Sequence, residues 1–144
     1  MFFVNLRKIK VMKKIRTLIL TLILGLSASA QLSTGDILFV GFNADGTKQY
    51  AFVTLVDIPA NTDIHFTDNE WNGVIGDGFL DLNEGEHLWN HTAIVPAGTV
   101  VTIDCDGGSS SPSASLGTVS GSNVNLGASN EELYALSVPP ATSG

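Results

Sequence analysis

After residue 30, apolar residues come in short runs rich in Val, Ile, Phe, Tyr and Thr, separated by clusters of Gly, Asn, Asp and Pro, and nowhere do they keep a 3.6-residue period. A helix of a globular domain must present an apolar stripe to the core, so a chain without that period has no helical face to bury. Strands need only short β-prone runs bounded by turn residues. The pattern therefore predicts an all-β fold, with strands near residues 36–42, 50–56, 62–67, 86–92, 99–104, 116–119 and 131–137.

Two kinds of run are present. Residues 37–42 and 50–56 are nearly continuous in apolar side chains, the mark of strands covered on both faces, whereas Ile64 and Phe66 alternate with Asp63, His65 and Thr67. Two packed antiparallel sheets accommodate both, so the expected architecture is a β-sandwich, immunoglobulin-like or jelly-roll-like. Asn43, Ala44, Asp45, Gly46 and Thr47 have the chemistry of a hairpin loop between the first two strands.

One pattern occurs twice. Residues 56–66 and 93–103 share an aliphatic residue, Pro, Ala, then Asn61 or Gly98, then Thr and alternating apolar residues. Both are read as hairpin corners, with Pro at the second position of a type I turn and Asn61 or Gly98 left-handed after it. Residues 106–127, rich in Gly and Ser, read as a long surface loop.

The first thirty residues differ in kind. Arg7, Lys8, Lys10, Lys13, Lys14 and Arg16 precede an apolar run over residues 17–26, and Ala28, Ser29 and Ala30 follow. Residues 1–30 are expected to be a secretory signal peptide cut near Ala30/Gln31, with translation starting at Met1 or Met12. The ten-residue apolar run falls well short of the roughly twenty that span a bilayer, so no membrane insertion is expected after cleavage. The expected organisation is one sandwich domain over residues 31–138 and a linker or truncated end over 139–144. The protein is expected to be secreted or held at the cell surface.

Of the seven Lys and Arg, only Lys48 lies beyond residue 30, against all fourteen Asp and Glu, a formal charge of −13 for residues 31–144. Such a surface repels phosphate backbones and anionic lipids, which excludes nucleic acid as a natural partner. Cys105, the single cysteine, cannot form an internal disulfide, and it is expected to be a buried, inert thiol.

Six of the acids, Asp68, Glu70, Asp77, Asp81, Glu84 and Glu86, crowd one Gly-broken and Asn-rich stretch. Hard cations take six to eight oxygen ligands, and a calcium ion held by Asp68, Glu70, Asp77 and Asp81 is the candidate cofactor. Trp71 and Asn72 are candidate ligand-binding residues, because an aromatic face in a polar loop can stack on a sugar ring. Trp89 alternates into the core instead, and His65, His87 and His91 are expected at the surface. Asp68 with Glu70, or Glu84 with Glu86, could supply the paired carboxylates of a small hydrolase.

The segments 35–46, 52–60, 66–71 and 95–99 resemble the amino-terminal β module of large secreted or cell-surface multidomain bacterial proteins of the Bacteroidetes type. The likeness covers about residues 35–137. It implies a β module with no activity assignable to named residues, any catalytic or sorting region lying elsewhere. The resulting expectation is an exported, non-catalytic binding or display module, not an enzyme, whose partner is a polysaccharide or another surface protein. The alternatives are a carbohydrate-binding domain using Trp71 and the acidic loop, and a hydrolase with Asp68 or Glu70 as acid or base.

Overall fold

The computed structural model describes residues 32–74, 77–105, 111–122, 124–127 and 131–143. Among them are eight strands and no helix: β1 (Ile37–Asn43), β2 (Gln49–Thr54), β3 (Asp63–Thr67), β4 (Glu86–Asn90), β5 (Val100–Asp104), β6 (Ser113–Ala114), β7 (Thr118–Ser122) and β8 (Tyr134–Leu136). They form two four-stranded sheets, in the orders β1-β2-β5-β6 and β7-β4-β3-β8, with every ladder antiparallel. The expected sandwich is therefore present, and the turn at residues 44–48 joins β1 to β2 as a hairpin.

Alternation decides what each strand buries. Tyr50, Phe52 and Thr54 of β2 and Val101 and Ile103 of β5 point inward, opposite Ile64 and Phe66 of β3 and His87 and Trp89 of β4. Phe52 meets Trp89 edge-on, with ring centroids 5.5 Å apart, and lies 5.1 Å from Phe66. The indole Nε1 of Trp89 donates to the Leu116 carbonyl at 2.7 Å, so the largest core side chain is fully satisfied. Each such side chain, fully buried, contributes about 1.5–3 kcal/mol.

Four expectations change. First, β1 is an edge strand rather than a central one, and Leu38 and Val40 are more than half exposed. Leu38 and Val40 alternate to the face turned away from the second sheet, and a register shift follows between Phe39 and Gly41.

Second, the two echoed segments are crossovers between the sheets, not hairpins: the first carries β2 into β3 and the second carries β4 into β5. They pair with each other through Ile58 and Val95, both buried, whose amides and carbonyls exchange bonds of 2.8 and 2.9 Å. In each turn proline stands first, not second. Its carbonyl accepts from the amide and hydroxyl of the following Thr, Thr62 or Thr99, and the third residue has positive φ, 61° at Asn61 and 84° at Gly98. That left-handed third residue belongs to a type II turn.

Third, residues 111–127 are not a surface loop. Their described part holds β6, β7 and the core side chains Val124 and Leu126, while residues 106–110 of the expected loop lie outside the described residues. Fourth, His65 and His87 are buried. His87 shares a 3.2 Å hydrogen bond with the Tyr50 hydroxyl, and His65 Nδ1 pairs with Glu86 Oε1. Each imidazole has a polar partner that lets it leave water. Cys105 is buried, as expected.

Candidate functional site

Antiparallel topology gathers the acidic residues at one end of the sandwich. The chain reaches that end as β3 finishes at Thr67, and leaves it as β4 begins at Glu86. It returns between Ser122, paired with Glu86, and Tyr134, paired with Thr67. The chain leaving β3 and the chain leading to β8 therefore meet, with Asp68 and Asn125 in contact although 57 positions apart.

Their junction is a cleft of about 300 Å³ lined by Asp68, Glu70, Trp71, Glu84, Glu131 and Glu132. Burial grades the carboxylates. Asp68 is 4% exposed, Glu131 is half-buried, and Glu70, Glu84 and Glu132 are exposed beside Trp71.

Local rules place each group. Val124 and Leu126 point into the core, so the intervening Asn125 turns outward and its amide donates to Asp68 Oδ2 at 2.6 Å. The other oxygen, Oδ1, is buried with no hydrogen-bond partner among the described residues. Asn69, itself buried, ties the two ends of the acidic stretch together. Its Nδ2 donates to the Gly85 carbonyl at 3.0 Å, and its Oδ1 accepts from the Glu84 amide at 3.0 Å. Trp71 is set by an isolated bridge to Phe79, flanked by a 2.8 Å bond from the Leu80 amide to the Glu70 carbonyl.

Not every candidate residue reaches the cleft. Asp68, Glu70 and Trp71 line it, whereas Asn72, Asp77 and Asp81 do not. Asn72 Nδ2 donates to Asp77 Oδ2 at 2.6 Å and its Oδ1 accepts from the Val74 amide at 2.8 Å, closing their own turn. Asp81 Oδ1 accepts from the Asn83 amide at 3.2 Å. The expected ligand set of Asp68, Glu70, Asp77 and Asp81 is thus split between a cleft and two local caps. No three His, Cys, Asp or Glu side chains among the described residues are gathered closely enough to hold one metal ion.

Glu131 and Glu132 were not legible as site residues, because only the return of the chain between β7 and β8 brings them here. The segment at residues 141–143, expected as a linker or truncated end, pairs with the same loop. The Phe79 amide donates to the Ala141 carbonyl at 3.0 Å, and the Ser143 amide donates to the Phe79 carbonyl at 2.9 Å.

The carboxylates act on one another. Burial first, and then the charge of Glu131, raises Asp68 above the ordinary carboxyl range, against the opposing pull of the Asn125 and Asp68 amides and of Lys48. Glu84 is also raised, by desolvation and by Asp68, Glu131, Glu70 and Asp81. The Tyr134 hydroxyl, bonded to Glu132 Oε2, is pushed up to about 12 by desolvation and by that carboxylate.

Raised carboxyl values have a sign. The folded state holds these protons more tightly than the unfolded chain, so their contribution is fully present below the unfolded value and is lost as pH rises through the folded one. The melting temperature of the ligand-free protein should therefore fall as pH rises from about 4 towards neutrality, the unfolded carboxyls titrating near 4. Asp68→Asn should flatten that fall. It should also raise the neutral-pH melting temperature by a few degrees, since a buried unpaired group costs about 1–3 kcal/mol. Melts followed by circular dichroism across that range check both, and a variant no more stable than its parent at pH 7 would show that the Asp68 charge is compensated.

The fold and cleft define a class, an all-β sandwich with an acidic cleft and a rim tryptophan at one end. In comparisons with known proteins, the chain matches no family model, no curated protein and no solved structure.

Proposed function

We propose that the chain is an exported, non-catalytic binding module and that its ligand seat is the acidic cleft beside Trp71. One observation carries this reading. A buried carboxylate, Asp68, keeps one oxygen without a hydrogen-bond partner among the described residues while lining a cleft shared with four other carboxylates and an exposed tryptophan. Buried polar groups are normally hydrogen-bonded, and an unpartnered oxygen beside a cleft is one that a bound donor or cation would satisfy. The acidity of the whole exported part and the expected signal peptide agree with work outside the cell. The likeness to amino-terminal modules of secreted multidomain proteins points the same way.

A polysaccharide is the second reading, favoured by Trp71, which is 38% exposed at the rim where a sugar ring could stack. Thermal unfolding of the exported protein with calcium, basic peptides and soluble polysaccharides tests the site. A ligand at 100 times its Kd stabilises the folded state by about 2.7 kcal/mol. A rise in melting temperature that Trp71→Ala or Glu84→Gln removes would support the cleft as the seat. No rise with any of these ligands would refute the reading.

A further inference from the structure

We propose that the ligand of this cleft is a guanidinium group, the arginine side chain of a basic polypeptide, seated against Asp68 and Glu84 with its plane on Trp71. The inference rests on the binding-module reading and names the chemistry of its ligand.

Size comes first. A volume near 300 Å³ equals roughly ten water molecules at about 30 Å³ each, more room than one bare ion fills. The five carboxylates also surround this volume rather than converging on a point. A side-chain cation bearing several donors suits walls spaced in this way. Guanidinium carries five N–H groups in a planar fork that fits carboxylates two at a time, whereas an ammonium is a point charge.

Charge comes second. Lys48 is the one basic side chain beyond residue 30 apart from histidine, and its ammonium is engaged by Asn125 Oδ1. One lysine stands against five carboxylates, of which Asp68 and Glu84 are pushed upward by burial first and then by neighbouring negative charge. An incoming cation relieves that repulsion. Asp68 Oδ1 has no hydrogen-bond partner among the described residues, so an incoming N–H donor can offset the cost of its burial.

The aromatic comes third. Trp71 lines the same cleft and exposes part of its surface, and an indole face is the strongest partner for a cation among the aromatic side chains. Arginine adds stacking to this attraction, which selects it over lysine.

Titration calorimetry at low salt decides the matter, using a short Gly/Ser peptide with blocked ends and one central residue: arginine, lysine or citrulline. Citrulline keeps the shape of arginine and removes its charge. The arginine peptide is expected to bind at least about tenfold more tightly than the citrulline peptide, and more tightly than the lysine peptide. Glu84→Gln and Asp68→Asn should each weaken it about tenfold, and Trp71→Ala about threefold or more, with none of the three lowering the melting temperature by more than a few degrees.

Free arginine, run alongside, separates the sources. Binding as tight as that of the peptide would overturn the polypeptide and assign a free amino acid. Equal binding of arginine and citrulline peptides overturns the proposal. If calcium or a polysaccharide binds in a Glu84- or Trp71-dependent way while the arginine peptide does not, the guanidinium falls and the binding module stands. If none of these ligands binds, both fall.

Discussion

Trp89→Ala is expected to unfold the protein or to lower its melting temperature by well over ten degrees. The indole is fully buried, meets Phe52 edge-on, and satisfies the Leu116 carbonyl through Nε1. Removing a buried tryptophan costs about 3–5 kcal/mol through lost transfer energy and the cavity left behind. The orphaned carbonyl adds about 1–3 kcal/mol more. Against the roughly 5–15 kcal/mol that holds a natural domain together, this is a large share.

The other tryptophan is the internal control. Trp71 is exposed and packs no core, so Trp71→Ala should stay within about half a kcal/mol of the parent. Urea or thermal unfolding followed by circular dichroism reads both. Similar losses for the two variants would mean that the sandwich is not packed around Trp89.

The second large effect is at a glycine. Gly121, in the edge strand β7, has φ of 103°, and a Cβ built on it would stand 2.0 Å from the Glu86 carbonyl oxygen, in the partner strand β4. Gly121→Ala must therefore either break the β4–β7 ladder or force a conformation that side chains rarely adopt. Each cost is of the order of 1–3 kcal/mol.

Gly98→Ala separates the two causes. Its φ of 84° is as unusual, yet nothing lies within 4 Å of a Cβ there, so only the conformational part remains. The Gly121 variant should melt several degrees below the Gly98 variant, and equal melting temperatures would show that collision with Glu86 contributes nothing. Displacing β7 also loosens the segment that follows it, so the Gly121 variant should lose part of its affinity for any ligand of the acidic cleft.

Several features were legible in the order of residues because they depend on local physics. Short β-prone runs without a helical period forced the sandwich. The Asn-Asp-Gly loop forced the first hairpin, and the alternation of Leu88 with Trp89 placed the indole inside. Left-handed backbone at Asn61 and Gly98 followed from the two residue types that tolerate it.

The errors fall where local information stops. A continuous apolar run marks a strand but not its place in the sheet, so β1 was expected to be central, and the order β1-β2-β5-β6 puts it at an edge. The two Pro-Ala turns are locally the same whether the chain folds back within one sheet or crosses to the other. Histidine reads as polar until a Tyr50 hydroxyl or a Glu86 carboxylate accompanies it into the interior.

The candidate site divides in the same way. The sequence by itself showed a strongly acidic chain beyond residue 30, with Asp68, Glu70, Asp77 and Asp81 in one polar stretch around Trp71. Neighbours in sequence then proved weak guides, since Asp77 and Asp81 spend their carboxylates on their own turns. Glu131 and Glu132 belong to the cleft because β7 pairs with β4 and β8 pairs with β3, a register set by the burial of Trp89, Phe66 and their partners. Which carboxylate loses its water was likewise decided only by tertiary packing. Val124 and Leu126 enter the core, Asn125 is left facing Asp68, and one oxygen of a carboxylate ordinary in sequence ends up buried without a hydrogen-bond partner among the described residues.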